Sequence, residues 1–558
     1  MNFKKSFLIL AAAAMTACCC GEGDKYAAAY ENLPFEMPKV ELPAIPAREA
    51  SIVDFGAVGD GMTLNTEAIQ ATIDKLAEQG GGKVIVPDGI WFTGPIVLKD
   101  NIELNLSNHA MILFSPDQSL YPLTEIIFEG LNTWRLQSPI SARGVKNVAI
   151  TGGGVIDGSG DAWRQVKQSK VTDAAWKKLV ASGGIVDGTN WFPTESYYRG
   201  HKGATDQNVN ENMKNKEDFE PIRDFLRPVM VAIHNCDNVL LQGVTFQNSP
   251  CWTVHPAICT DLTIDGVTVR CPAYAQNGDG LDIESCKNVL VVNSSIDAGD
   301  DAICIKSGKN EDGRKRGIPC ENVIVQNCIV FHGHGGFVVG SEMSGGVKNV
   351  CVRDLTFSGT DVGLRFKSTR GRGGVVENIF IDNITMNNIL TDGLLFDLFY
   401  GGKSASEALA DGDEGEATDM PFKPVDETTP AFRNIDIKNV RCNGARRAML
   451  FNGLPEMNVE NVKVENAWFY TTTGAQINES TNVELKNVTV VPAQGAALSI
   501  NNAKQVNVED FICPEGMETA LVVTGSRNAD IAVKSAQMSA ENATFSPKAE
   551  GKVQLNYS

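Results

Sequence analysis

The sequence is poor in aromatic rings, in positive charge and in long apolar runs. Aromatic residues make up 7% of the 558 residues, and 49 Lys and Arg face 68 Asp and Glu, for a net charge of −19. This balance argues against nucleic acid or an anionic membrane surface as the main partner. After the first twenty residues no apolar run is long enough to span a bilayer. A hydrophobic content of 43% and 53 glycines indicate a folded chain with many tight turns.

The cysteines lack the paired Cys-x-x-Cys spacing of a zinc site. Cys18, Cys19 and Cys20 are consecutive, and the other eleven of the 14 fall mostly within apolar, strand-like runs. An odd number in such runs predicts buried thiols that pack as small hydrophobic side chains, and not a set of disulfides.

The N-terminus has the composition of a bacterial export signal, predicted over residues 1–20. Lys4 and Lys5 precede a short apolar run, and Met15-Thr16-Ala17-Cys18 resembles a lipobox, in which the cysteine is lipidated. The alternative is cleavage without a lipid. Residues 21–50 carry four prolines among scattered charges and are interpreted as a linker. We therefore expect an exported lipoprotein, anchored to a membrane in the periplasm or on the outer-membrane surface.

One helix is predicted over residues 66–79, with Thr66 as its candidate N-cap and three glycines after its end. Beyond it, an Asn or Asp followed by alternating aliphatic residues recurs along the chain. From Asn238 to Asn378 the repeat returns at spacings of 23, 27, 34, 27 and 29 residues. Short strands at such a period predict a solenoid, and the absence of a helix in each repeat favours an all-β parallel β-helix.

Asparagine at one phase suits a stacked turn, since its side chain bonds backbone groups and tolerates the left-handed conformation. The single helix would cover the open N-terminal end of the stack. We expect one β-helix domain over residues 51–558. Two polar segments, at about 164–225 and 401–430, interrupt the repeat and are predicted to be long loops that shape a cleft.

Equal phase in neighbouring coils predicts which side chains meet. Asp300, His334 and Asp361 each lie twelve residues after a repeat asparagine. Asp300 and His334 are therefore expected to be neighbours, with Asp301 adjacent and Asp279 about one coil earlier. Glycoside hydrolysis uses two carboxyl groups, one protonated and one ionised, and this cluster supplies three. An isolated Asp-Asp pair would more often be a simple turn.

Cations lie one coil away from this cluster. Arg365, Lys367, Arg370 and Arg372 fall within eight residues, and Lys306 follows the Asp pair. They form either a solvated face or a site for an anionic sugar, because Arg pairs with carboxylates in a bidentate fork. Trp252 and His255 precede Asp279 by one coil. Such rings stack on sugars in binding sites but equally often pack in a core.

Four ordered motifs resemble those of glycoside hydrolase family 28, the polygalacturonases, from about residue 53 to beyond residue 400. The motifs are Asn277-Gly278-Asp279, Gly299-Asp300-Asp301, Gly333-His334-Gly335 and Arg365-Phe366-Lys367. Gly278 departs from the pattern, since many members have Thr there. The resemblance implies a right-handed parallel β-helix with a short N-terminal capping helix, an inverting hydrolysis of galacturonosidic bonds, and no metal or other cofactor.

Residue roles follow from the same resemblance. Asp300 would be the general acid, and Asp279 and Asp301 would position and deprotonate the attacking water. His334 would support the acid. Arg365 and Lys367 would bind the galacturonate carboxylate, with Tyr400 as a weaker match. Lys306 and His255 are added as substrate-binding candidates from their positions in the sequence alone.

The runs Asp300–Gly308 and Gly340-Ser341-Glu342 look more like the exo-acting bacterial branch, and the two long loops would close one end of a cleft. A pectic polysaccharide or oligosaccharide is the expected substrate, and a monomer the expected state. Three alternatives stay open at this point: a rhamnogalacturonan hydrolase of the same family, a Ca²⁺-dependent β-helix pectate lyase, and a glycan-binding solenoid without activity.

Overall fold

The repeat forms the coils of a right-handed parallel β-helix, as predicted. The computed structural model describes residues 25–205, 208–401, 420–549 and 551–556. Thirty-five strands join in one network of parallel pairs, in which each strand pairs with its counterpart one coil further on. The helices are α1 (Thr66–Glu78), α2 (Asp173–Ala181), α3 (Glu195–Gly203), α4 (Lys216–Phe219) and α5 (Asn310–Arg316).

The strands fall into an N-terminal, a central and a C-terminal group. The first are β1 (Glu49–Ser51), β2 (Gly82–Val86), β3 (Gly89–Thr93), β4 (Ile96–Val97), β5 (Ile102–Leu106), β6 (Ala110–Phe114), β7 (Leu123–Phe128), β8 (Leu131–Leu136), β9 (Ile140–Arg143), β10 (Lys146–Gly152), β11 (Val155–Asp157), β12 (Val166–Lys167), β13 (Ile185–Asp187) and β14 (Asn190–Phe192). The central strands are β15 (Val231–His234), β16 (Asp237–Gln242), β17 (Thr245–Gln247), β18 (Val254–Ala257), β19 (Thr260–Asp265), β20 (Thr268–Arg270), β21 (Leu281–Glu284), β22 (Lys287–Val292), β23 (Ser295–Asp297), β24 (Asp301–Lys306), β25 (Cys320–Gln326), β26 (Ile329–His332), β27 (Gly335–Gly340), β28 (Val347–Ser358), β29 (Val362–Lys367), β30 (Val375–Asn387) and β31 (Asp392–Asp397). The last are β32 (Ala431–Asn452), β33 (Val459–Asn478), β34 (Ser480–Pro492), β35 (Leu498–Asn501), β36 (Lys504–Glu509), β37 (Leu521–Thr524), β38 (Ala529–Lys534), β39 (Ala543–Phe545) and β40 (Val553–Asn556).

The repeat asparagines form a ladder at one corner of the coils. Asn288, Asn322 and Asn349 have φ values of 56°, 58° and 57°, in the left-handed region. The side-chain amide of each donates to the oxygen of the residue one coil earlier, as in Asn322 to Asn288 at 3.1 Å and Asn349 to Asn322 at 3.2 Å. Asparagine tolerates this backbone better than most residues and satisfies its own amide there. The predicted stacked turn is confirmed.

Helix α1 packs against β1, β2 and β5 at the N-terminal end of the stack. Ile69, Ile73 and Leu76 share its buried face and join the continuous core of the coils. The predicted N-cap differs, because the N-cap position is Asn65 and the helix begins at Thr66. The Thr66 hydroxyl instead accepts a hydrogen bond from the Gly94 amide.

The segment predicted as a linker does not act as a spacer where it is described. Lys25 and Tyr26 bind the carboxylate of Asp265, and the guanidinium of Arg353 donates to three backbone carbonyls of residues 28–31. Outward-facing Leu290 and Ile324 pack against Tyr26. Apolar side chains on the outside of the coils therefore hold this segment against the β-helix, which composition alone did not reveal. Residues 1–20, the predicted signal, lie outside the described residues.

The first predicted loop is an ordered subdomain. Its described residues carry α2, α3, α4 and the small antiparallel sheet β12–β14–β13, with its own core around Phe192, Tyr197 and Phe225. Of the second, residues 402–419 lie outside the described residues. The eleven cysteines beyond Cys20 are buried free thiols. Within the described ranges, no helix is both long and apolar enough to cross a membrane.

Candidate active site

A cavity of about 460 Å³ lies beside the sheet formed by β18, β21, β24, β27 and β29. Asp279 precedes β21, Asp300 and Asp301 lie at the start of β24, and His334 precedes β27. Because these parallel strands pair in register, the residues at their N-terminal ends meet at one edge of the sheet. All four side chains line the cavity, as the repeat phase predicted.

Three carboxyl groups form the centre of the cavity. One oxygen from each of Asp279, Asp300 and Asp301 lies within 4.8 Å of the others. Burial, with the negative charges of Asp282 and Asp300, raises the pKa of Asp279 well above its ordinary value. For Asp300 burial also acts upward, but the hydrogen bond and charge of His334, with Lys367 and Arg365, bring the pKa below its ordinary value. Asp279 therefore holds a proton more tightly than the neighbouring Asp300 does.

His334 is fixed to Asp300 twice. Its Nδ1 lies 2.9 Å from Oδ1 of Asp300, and its backbone amide donates to the Asp300 carbonyl at 2.8 Å. The hydrogen bond to Asp300 raises the pKa of the imidazole, against an opposing effect of burial. The predicted proximity of these two side chains is confirmed, although they are 34 residues apart. The imidazole contact orients Asp300, and a positive charge on His334 favours the ionised form of this carboxyl group.

Two cations hold the third carboxylate. Lys367 Nζ lies 2.7 Å from Oδ2 of Asp301, and Arg365 Nη1 lies 3.3 Å from its Oδ1. The Tyr400 ring lies beneath both cations, 5.1 Å from Lys367 Nζ. A sugar carboxylate entering here would therefore share Arg365 and Lys367 with Asp301. The three carboxylates are also close enough to hold a cation, but Asp301 and Asp300 already have positive partners in the protein.

Lys306 lines the cavity but is paired with acidic neighbours. It is 3% exposed, with Nζ 2.9 Å from Glu342 and 3.6 Å from Asp282, and it lies 4.8 Å from the Trp252 ring. Its position supports a role in balancing buried charge more than one in direct substrate binding.

His255 is a correction to the predicted site. Its side chain is fully buried, with Nε2 3.0 Å from Glu284 and Nδ1 3.3 Å from His234, and it is not among the residues that line the cavity. Trp252 lies in front of it and does line the cavity. The other two predicted cations also lie outside, since Arg370 pairs with Glu456 and Arg372 with Asn310.

Sequence reasoning missed the residues of one wall. The subdomain at 164–225 and the hairpin β7–β8 contribute Glu129, Gln165, Lys167, Asn190, His201 and Asn208 to the lining. Glu342, in Gly340-Ser341-Glu342, also lines the cavity. The length of the insertion was the available signal, but no repeat phase specifies where its side chains lie. A larger cavity, of about 720 Å³, lies on the outer side of the hairpin and includes Trp134.

Comparison with known proteins gives concordant matches. A family model, described as glycosyl hydrolases family 28, matches residues 223–429. An exo-poly-alpha-D-galacturonosidase of Dickeya chrysanthemi is 29% identical over 372 residues, 65% of this chain and 59% of that protein. A probable polygalacturonase of Vitis vinifera is 29% identical over 362 residues, 63% of each chain. This chain thus spans about 60% of the length of these two relatives.

Solved structures agree over a larger share of the chain. The crystal structure of a hyperthermoactive exopolygalacturonase from Thermotoga maritima is 32% identical in sequence with a TM-score of 0.65. The match covers 81% of this chain and 93% of the Thermotoga maritima chain. A family 28 exopolygalacturonase of Yersinia enterocolitica, 23% identical with a TM-score of 0.62, shares the fold.

Proposed function

Since the chain belongs to glycosyl hydrolase family 28, we propose that it hydrolyses galacturonosidic bonds of pectic polysaccharides, removing units from one end of the polymer. The observation that carries this proposal is the convergence of Asp279, Asp300 and Asp301 with two cations in one cavity. The carboxyl groups supply proton transfer, and Arg365 and Lys367 supply recognition of a uronate. Family 28 enzymes recognise a negatively charged substrate. Because this protein itself has a net charge of −19, a local cationic patch is necessary to bind such a substrate.

The proposed reaction assigns each proton. A water molecule attacks the anomeric carbon, the glycosidic oxygen leaves with a proton from the protein, and a carboxylate takes the proton from water. Asp301, which is paired with Lys367 and Arg365, is the proposed base. Asp300 is the proposed donor to the leaving oxygen. Because the pKa of Asp279 is raised and that of Asp300 is lowered, we assign the transferable proton to the Asp279–Asp300 pair as a unit.

Inversion at the anomeric carbon is part of the proposal, carried by the motifs. Inverting enzymes usually hold their carboxyl groups about 6.5–9.5 Å apart, whereas the nearest oxygens here lie within 4.8 Å. Proton NMR of the first product tests the point. An α-linked galacturonan should release galacturonate with the β configuration before mutarotation, and an initial α product would overturn inversion.

A wall on one side of the cavity supports action at a chain end. Side chains of the subdomain and the hairpin line one side of the cavity, next to the carboxyl groups. A polymer threaded through the site would have to pass this wall. We therefore expect release of small products from the first minutes of a digestion, with little early loss of viscosity.

The test is a time course of the protein on de-esterified polygalacturonate, with Asp300→Asn alongside. Chromatography should show saturated galacturonate from the wild type and essentially none from the variant. Ultraviolet absorbance from a new double bond, lost with a chelator, would instead establish a lyase. Activity confined to rhamnogalacturonan fragments would change the substrate. No release from either polymer, with binding retained by Asp300→Asn, would establish a binding protein.

We further propose that the protein is exported and lipidated at Cys18, on the strength of the lipobox-like Met15-Thr16-Ala17-Cys18. Labelled fatty acid should be incorporated by the wild type in a bacterial host and not by Cys18→Ser. Equal labelling of both proteins, or of neither, would overturn this assignment.

A further inference from the structure

The hairpin β7–β8 places one glutamate in the cavity by an unusual turn. Phe128 and Leu131 are its last paired residues, so that Glu129 and Gly130 alone form the tip. Their φ values are 48° and 74°, both in the left-handed region. Two-residue turns of this kind strongly prefer Asn-Gly or Asp-Gly. A longer side chain at the first position is disfavoured by the backbone, which points to a use for the side chain.

The hairpin tip is held in place without that side chain. The Gly130 carbonyl accepts hydrogen bonds from the Lys309 amide at 3.3 Å and from Arg316 Nη2 at 3.4 Å. The Phe128 ring packs on Trp252, with ring centres 4.6 Å apart. These contacts dock the hairpin without using the Glu129 side chain.

The Glu129 carboxylate is buried, faces the cavity and has one oxygen without a hydrogen bond. It is 2% exposed and lines the cavity together with Asp279 and Glu342. Oε1 accepts a hydrogen bond from Asn208 Nδ2 at 2.7 Å. Oε2 has no hydrogen-bond partner among the described residues, and the ammonium of Lys309 lies 3.5 Å away. A buried acceptor left in this state is costly, unless a ligand completes it.

We propose that Glu129 is a specificity-determining residue that accepts a hydrogen bond from the free O4 hydroxyl of the sugar at the non-reducing end. The proposal rests on the proposed function and deepens it by naming the chemical group that this wall of the cavity recognises. A hydroxyl is the matching donor, because a carboxylate at this point repels the carboxylate of a uronate. A chain extended at that hydroxyl would meet the wall that Glu129 and Asn208 form.

O4 suits a fixed acceptor better than the hydroxyl at the other chain end. The O4 hydroxyl of a terminal galacturonate has one configuration. The reducing-end hydroxyl interconverts between two anomers, only one of which fits a given acceptor. Recognition at O4 also explains chain-end action, since an internal sugar has no hydrogen on O4 to donate.

The test compares saturated trigalacturonate with the trimer that carries a 4,5-unsaturated sugar at its non-reducing end, which lacks the O4 hydroxyl. The full-length wild-type protein should prefer the saturated trimer by about 10- to 100-fold in kcat/KM, the range of one hydrogen bond to a charged group. Glu129→Ala should lower kcat/KM for the saturated trimer to near that for the unsaturated one, with the latter almost unchanged. Glu129→Gln, of the same shape, should retain part of the preference.

Glu125→Ala is the matched control, because Glu125 is an exposed acid on the same hairpin. It should preserve the wild-type preference. Equal losses on both trimers in Glu129→Ala and Glu129→Gln would show a structural role and overturn the proposal. A wild-type protein that cleaves both trimers equally, or that discriminates only against a chemically reduced reducing end, would also overturn it. A wild type inactive on both trimers would remove the proposed function itself.

Discussion

The strands of the central coils and of the C-terminal coils pair in one continuous register. The two regions differ in the side chain at the last residue of these aligned strands. In β21, β24 and β29 this position holds Glu284, Lys306 and Lys367. In β32, β33 and β35 the same position holds Asn452, Asn478 and Asn501. Asp397 of β31 holds this position between the two sets, and its carboxylate accepts a hydrogen bond from the Asn452 amide. One architecture thus carries buried charge in its centre and neutral amides towards its end.

The difference separates what the fold needs from what the reaction needs. Neutral side chains satisfy one another across the coils, as where the Asn501 amide donates to the Thr524 hydroxyl at 2.7 Å. Buried ion pairs such as Lys306 with Glu342 are no more stabilising, on average, than a well-packed neutral alternative. The coils therefore gain little stability from their central charges. Their concentration around one cavity is better explained by chemistry.

The largest expected effect is on catalysis in the central coils. Asp300→Asn removes the proposed proton donor and should lower kcat by about 10²–10⁴-fold, the usual contribution of general acid catalysis. Its unfolding free energy should change little, since the lost contact with His334 is offset by the removal of one of three clustered carboxyl groups. Asn501→Asp, at the amide position of the C-terminal coils, is the control and should keep full activity. Equal activity of Asp300→Asn and wild type would contradict the assignment.

The second effect is on stability. Lys306→Met leaves Asp282 and Glu342 buried beside each other without their cation, and it should lower the unfolding free energy by about 3–5 kcal/mol. Urea denaturation followed by circular dichroism measures the change. Adding Glu342→Gln should recover part of the loss, because one uncompensated charge is then removed. A loss below about 1 kcal/mol would mean that these carboxyl groups are already neutral.

The third effect is a pH dependence centred on His334. Its pKa is raised by the hydrogen bond to Asp300, so the stabilisation is fully present below the ordinary value of about 6.5 and is lost as the pH rises through the raised value. Above that value the cavity also loses a positive charge that helps to bind a polyanion. We expect kcat/KM to decline on this alkaline limb.

His334→Gln should abolish that limb, and its stability should approach that of the wild type as the pH rises. A pH–rate profile and denaturation curves at several pH values measure both. A limb that persists in the variant would assign the titration to another group of the cavity.

The sequence predicted the parts of the site that repeat phase determines. Asp300 and His334 were predicted to be neighbours because equal phase in a stack of coils means adjacency, and the structure places them 2.9 Å apart. His255 was expected to bind substrate because it lies one coil before Asp279, with a core position left open as the alternative. Closeness along the chain does not determine packing, and Trp252 and Glu284 enclose that ring.

The wall of the cavity was beyond this reasoning. Glu129 reaches the site because Phe128 packs on Trp252 and Gly130 binds the segment before α5, contacts between parts of the chain more than a hundred residues apart. The interpretation of the segment after residue 24 as a linker missed its packing for a related reason. Its prolines indicate a spacer, but it packs on Leu290 and Ile324, which face outward from strands whose inner side is the core.

The smallest expected effect tests whether a ladder asparagine contributes the same unfolding free energy in the C-terminal coils as in the central coils. Asn461 of the C-terminal coils has a φ of 54°, donates to Asn434 and accepts from Asn482. Asn461→Ala should lower the unfolding free energy by about 1–2 kcal/mol, from lost hydrogen bonds and a strained backbone. Asn461→Gly, which tolerates this φ, should recover the strain part.

Asn322 has the same geometry in the coil that leads to His334, with a φ of 58° and ladder bonds on both sides. Asn322→Ala should therefore cost the same free energy as Asn461→Ala, about 1–2 kcal/mol, and leave kcat unchanged. Equality of the two losses would mean that the ladder serves only the fold, and that function is confined to the opposite edge of each coil. A selective fall of kcat in Asn322→Ala would show instead that the ladder sets the position of His334 against Asp300, and the separation between the two regions would not hold.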